Sequence, residues 1–136
     1  MERARHIQLL ISAVSAEFGP YRERLARILR QPTLDVKHQA DFHTSGGVIL
    51  EKVNEYVQAC DGVVHLIGDM TGATPKQAEL EVVFEQCPDL RASVIKLGGD
   101  PLDLTYTQWE AYLAMYHERP LYIYRLAEHA SHDCSL

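Results

Sequence analysis

The sequence predicts an α/β domain with a central, mainly parallel, five-stranded sheet and helices on both faces. Three observations carry that expectation. HIQLLIS (His6–Ser12) and GVVHLI (Gly62–Ile67) are short, nearly continuous apolar runs, as buried strands are, and LYIYRL (Leu121–Leu126) is a further apolar β run. Between them, apolar residues recur at helical spacing. The alternation repeats about every 30 residues, which argues for crossover connections and parallel pairing.

The elements follow in order. His6–Ser12 is the first strand and ends in Ser-Ala-Val-Ser. Pro20 can open a helix at its first turn, with Tyr21, Leu25, Ile28 and Leu29 as its apolar stripe, and Pro32 closes it. Leu34–Gln39 alternates apolar and polar, as a half-buried or edge strand does, and 41–47 (DFHTSGG) is loop by composition. Ile49, Val53, Tyr56, Val57 and Cys60 form the next helical stripe, leading to the strand Gly62–Ile67 and the loop 68–73. Thr74-Pro75-Lys76-Gln77 reads as a helix start, with Thr74 as N-cap and Gln77 completing a capping box. In 91–103, Val94, Ile95 and Leu97 supply either a strand, the fifth of the sheet, or a loop pinned to the core. The last helix has Trp109, Tyr112, Leu113 and Tyr116 as its buried stripe, and Pro120 opens the last strand. The domain spans 1–127, and the polar stretch 128–136 reads as the start of a linker.

A chain of 136 residues is long enough for one domain with a real core. Its net charge of −6 gives no support for a nucleic-acid footprint, and Arg22, Arg24, Arg27 and Arg30 read as a solvated helix face. No run approaches the length of a membrane span, and the start lacks a signal-peptide cleavage pattern. Three widely spaced cysteines, Cys60, Cys87 and Cys134, do not make a disulfide framework and fit a reducing cytoplasm.

Ligands of open α/β sheets bind outside the carboxyl ends of the strands. The loops gathered there carry Ser12, Ser15, Glu17 and Phe18, then Asp41 and Phe42, then Asp69 and Thr71, and finally Tyr106, Trp109 and Glu110. Hydroxyls, carboxylates and aromatic rings in that mixture suit a nucleoside or sugar-phosphate ligand. Neither GxGxxG nor a P-loop is present, and no serine sits in a GxSxG context. His129, His132 and Cys134 lie in the polar tail without a second cluster, and His38 with His43 is little better, so no metal is expected. Cys60 reads as a small buried residue, and His65 as a hydrogen-bonded core residue.

Glu110 admits two readings. An acid in the first turn of a helix complements the macrodipole. A carboxylate facing the strand-end cleft can also stabilise or attack the C1′ carbon of a sugar as its base departs, because positive charge develops there.

The segments LLISAVSAEFGPYRERL, GGVILEKVNEYVQACDGVVHLIGDMTG and TYTQWEAYLAMYHERPLYIY together resemble the TIR-like domains of bacteria, over about Ile7 to Tyr124. That resemblance implies a flavodoxin-like fold, assembly through TIR–TIR contacts, and hydrolysis of NAD at the nicotinamide–ribose bond. It also implies a place as the N-terminal effector domain of a longer signalling or anti-phage defence protein. The Trp-Glu motif, Ala-rich helix and Arg-Pro-strand pattern is similar, more distantly, to nucleoside 2-deoxyribosyltransferases. Both resemblances assign Glu110 the catalytic position. They imply that Trp109, Tyr106 and Phe42 shape the pocket and that Ser12, Ser15 and Asp69 bind ribose or phosphate. They also imply that Phe18 and Asp41 lie at the substrate, with Asp41 and Phe42 in the loop that gates the site and contacts neighbours. NAD is then a substrate, not a cofactor. A non-catalytic interaction and oligomerisation module is the alternative that the same resemblance implies.

Overall fold

The computed structural model describes residues 6–38, 41, 49–68 and 72–125; the side chains of Ser15 and Ala16 fall outside that description. The elements are β1 (Ile7–Ser12), α1 (Ser15–Leu29), β2 (Leu34–His38), α2 (Ile49–Ala59), β3 (Gly62–Ile67), α3 (Gln77–Gln86), α4 (Leu90–Lys96), α5 (Tyr106–Tyr116) and β4 (Leu121–Arg125). All pairings between these strands are parallel, in the order β2-β1-β3-β4. Alternate residues of β1 serve opposite faces. Leu10 joins Val63 in a core built with α2, α3, α4 and α5, whereas Ile11 and Val36 pack with Ala26, Leu25 and Leu29 of α1. Helices therefore cover both faces, as a parallel sheet requires.

Among the described residues the sheet has four strands, not the five expected. Val94 and Ile95 belong to α4 and Leu97 follows its last residue; Leu90 and Val94 share the buried face at i,i+4 spacing while Ile95 and Leu97 stay exposed. Three apolar residues among four, with Lys96 between them, fit either period, and burial of Leu90 decides it.

Three helix starts also differ from expectation. α1 begins at Ser15, so Pro20 lies inside it. α3 begins at Gln77, two residues beyond the expected boundary, because the Glu79 carboxylate accepts the Lys76 N–H (3.1 Å) and supersedes the Thr74 cap. α5 begins after Thr105, whose hydroxyl accepts the Gln108 N–H (3.2 Å) while Gln108 Oε1 accepts the Thr105 N–H (2.9 Å). This capping box fixes the rotation of α5, and with it the direction in which Trp109 and Glu110 project.

β4 is an edge strand, with Tyr122, Ile123 and Tyr124 more than half exposed. No helix among the described residues is long and apolar enough to cross a membrane. Residues 126–136, including the expected linker, lie outside the described residues.

Two glycines give opposite expectations. A Cβ on Gly68, just past β3, would lie 1.8 Å from Glu17 Oε1 and 2.7 Å from Phe18 Cε2, and both side chains are buried. Gly19, inside α1, has open space where its Cβ would go. Gly68→Ala should cost about 1–3 kcal/mol of stability through overpacking, and Gly19→Ala should add about 0.5–1 kcal/mol through helix propensity. Urea titration of both variants checks the pair.

Candidate active site

The strand order places a topological switch point between β1 and β3: the chain leaves β1 towards β2 on one side and reaches β3 on the other. Ser12 and His65 are register partners there, at the carboxyl end of β1 and near that of β3. The Ser12 Oγ lies 2.9 Å from His65 Nδ1, 3.2 Å from Glu110 Oε1 and 3.3 Å from the Thr107 carbonyl oxygen. Residues separated by up to 98 positions thus meet around one hydroxyl.

Glu110 is the fifth residue of α5, beyond its first turn, and is 1% exposed. The macrodipole reading therefore fails, since that effect fades after the first turn. Burial pushes the Glu110 carboxyl up to about 8, while the Ser12 hydrogen bond and the positive charge of Arg22 oppose the shift. Among the described residues, Glu110 Oε2 has no hydrogen-bond partner. Burial also lowers the pKa of His65, so its imidazole is neutral at physiological pH.

Arg22 is not on a solvated face, as its place among the α1 arginines suggests. It is 3% exposed and its Nη1 donates to the Ala13 carbonyl (3.0 Å) at the end of β1. Burial lowers its pKa, and the charge of Glu110 holds it up. Glu17, one turn earlier, is fully buried with its carboxylate against Gly68. Neither burial carries a sequence signal, because both follow from how the first turns of α1 tuck under the exits of β1 and β3.

The other expected site residues divide. Phe18 lies at the β3 exit against Gly68, edge-on to Tyr21 (6.4 Å between ring centres). Asp41 accepts the His38 N–H (2.9 Å) and sits 3.8 Å from Arg30, which ties it to the end of β2. Trp109 is wholly buried in the core, edge-on to Phe84 at 5.8 Å. The Tyr106 hydroxyl donates to Glu79 and links α5 to α3 instead of joining the Ser12 cluster. Phe42, Asp69 and the side chain of Ser15 lie outside the described residues. Among those residues, no group of three or more His, Cys, Asp or Glu could hold a metal ion. A groove of about 430 Å³ beside Asn54, Gln86, Cys87 and His117 lies at the other end of α5 and shares no residue with the cluster.

Comparison with known proteins adds the fold. No family model matches the chain, and no curated protein matches it. A solved structure titled 2-desoxiribosyltransferase from Leishmania mexicana is similar over 89% of this chain, with a TM-score of 0.53 and 13% sequence identity. The chain spans 65% of that protein's length.

A buried neutral carboxyl has a consequence for stability. Its folded pKa of about 8 exceeds the ordinary 4.5, so the native state holds its proton more tightly than the unfolded chain. The stabilisation is full below pH 4.5 and is lost at about 1.4 kcal/mol per pH unit as pH rises towards 8. Glu110→Gln mimics the neutral form and should abolish that loss. Relative to its difference from the native chain at pH 4.5, the variant should gain about 3 kcal/mol or more by pH 8. Denaturant titrations across pH test this, and a difference that stays flat with pH would show that Glu110 is not held neutral.

Proposed function

We propose that this chain cleaves the N-glycosidic bond of a ribosyl substrate, with Glu110 stabilising the oxocarbenium-like C1′ or bonding to it. The observation that carries the proposal is a carboxyl buried at the β1–β3 switch point and bound by Ser12. Such burial is destabilising when the group ionises, and perturbed groups of this kind concentrate at functional sites. The strand order β2-β1-β3-β4, with helices on both faces, is consistent with flavodoxin-like layering.

NAD is the substrate we favour, and proton accounting is the reason. Glu110 is largely neutral at pH 7 in the resting site, yet the reaction needs it ionised. The nicotinamide of NAD is cationic while attached, so its approach lowers the carboxyl pKa. It then departs as a neutral molecule and needs no general acid. In this reading the domain is a TIR-like effector of bacterial signalling or anti-phage defence, cytoplasmic and active when assembled.

The structural likeness to a 2-desoxiribosyltransferase favours a second reading, in which Glu110 bonds to a 2-deoxyribose and passes it from one base to another. A neutral nucleoside would need a proton delivered to its departing base, a role for a group other than the ionised Glu110.

Purified protein, dilute and artificially clustered, should be given NAD and, separately, a 2′-deoxynucleoside with a free acceptor base. Nicotinamide release that falls at least about a hundredfold in Glu110→Gln, with the fold intact by circular dichroism, is the expected result. Base exchange without nicotinamide release would favour the transferase. Turnover equal in both proteins would remove Glu110 from the mechanism, and none under any condition would leave a non-catalytic assembly module.

A further inference from the structure

The Ser12 hydroxyl carries one proton and can accept two hydrogen bonds. Its three neighbours differ in what they offer. The Thr107 carbonyl only accepts, Glu110 accepts when ionised and donates when protonated, and His65 Nδ1 does either according to tautomer. Among the described residues, the charged and titratable groups facing Glu110 are Arg22 from α1 and, through Ser12 of β1, His65 from β3.

One assignment satisfies both protonation states of Glu110. With His65 carrying its proton on Nδ1, a protonated Glu110 and His65 both donate to Ser12, which donates to Thr107. When Glu110 ionises, the Ser12 proton turns to Glu110 Oε1 and His65 donates as before. The two acceptors lie 3.3 and 3.2 Å from the hydroxyl oxygen, so neither is favoured by distance. The opposite tautomer fails. Its bare Nδ1, at 2.9 Å, would take the sole Ser12 proton. An ionised Glu110, whose Oε2 already lacks a partner, would then have no hydrogen-bond donor from the described residues in a water-excluded site.

We propose that His65 is a positioning residue: fixed as the Nδ1–H tautomer, it donates to Ser12 and frees the Ser12 proton to swing between the Thr107 carbonyl and Glu110 as Glu110 loses or gains its own proton. No proton leaves the cluster except the one Glu110 exchanges. The inference rests on the glycosidase reading only for its purpose, since the arrangement itself belongs to the resting protein.

Nitrogen NMR of histidine-labelled protein, with carbon NMR of the Glu110 carboxyl across pH, tests it without any substrate. His65 should show a pyrrole-like Nδ1 and a pyridine-like Nε2 throughout the Glu110 titration. Ser12→Ala should raise the Glu110 midpoint by about one pH unit or more, the loss of one hydrogen bond to a charged acceptor. His65→Asn, which keeps a donor near the Nδ1 position, should stay closer to the native midpoint than His65→Leu. A pyridine-like Nδ1 in the native protein, which requires no variant to fold, would overturn the proposal, as would a Glu110 midpoint indifferent to Ser12. Absence of glycosidase activity with the expected spectra would sink the proposed function and leave this arrangement standing.

Discussion

A carboxyl group enclosed in an apolar interior is the constraint around which this molecule is arranged. Moving an ionised carboxylate out of water is unfavourable by several kcal/mol unless charge and hydrogen bonds replace its hydration. Among the described residues, the surroundings of Glu110 offer part of that replacement: one hydroxyl from β1, one buried guanidinium from α1, and nothing on Oε2. The group therefore stays largely neutral at pH 7 and ionises about a pH unit higher. A core optimised for stability alone would place leucine or methionine there, and a structural ion pair would satisfy both oxygens.

The fold supplies that position through ordinary means. The reversal of strand order between β1 and β3 opens the gap, and the Thr105–Gln108 capping box sets the rotation of α5 over it. Trp109 and Glu110 then divide the work between adjacent positions. The indole packs against Phe84 in the main core, and the neighbouring carboxyl meets Ser12. Changing the cap would turn both together. The packing of the larger ring thus fixes the aim of the smaller, titratable group, as a site built on a rigid helix allows.

Much of this is written in the chain and some is not. The apolar runs at β1 and β3 announce their strands, because strands buried on two faces need no alternation. The apolar run at β4 announces a strand as well, although it lies at the sheet edge and stays largely exposed. The run Val94–Leu97 is too short to show its period, and only the burial of Leu90 makes it helix. Ser12 and Glu110 are legible as candidates because strand exits and helix starts collect at one edge of an α/β sheet. His65 is legible as a hydrogen-bonded core residue, but its partner follows from the β1–β3 register, which no local pattern encodes. Arg22 and Glu17 mislead for the same reason. In sequence they share a charged, solvent-like pattern with Arg24 and Arg27, and their burial depends on strands that pair far along the chain. Tyr106 and Trp109 sit beside Glu110 in sequence yet serve the α3–α5 packing, because helical rotation sends neighbours to different surroundings.

The parallel sheet also imposes an order of assembly. It has no hairpins to pair early: Ile7 meets Leu34, Leu9 meets Gly62 and Val63 meets Leu121, so each strand waits for chain made long after it. During synthesis the N-terminal half can gather β1, β2 and β3 and bring Ser12 to His65, but the carboxyl arrives only with α5. An unfinished or partly unfolded chain therefore exposes no assembled cluster. Loop-closure entropy, usually a kinetic burden, here keeps the geometry of the cluster tied to a completed fold.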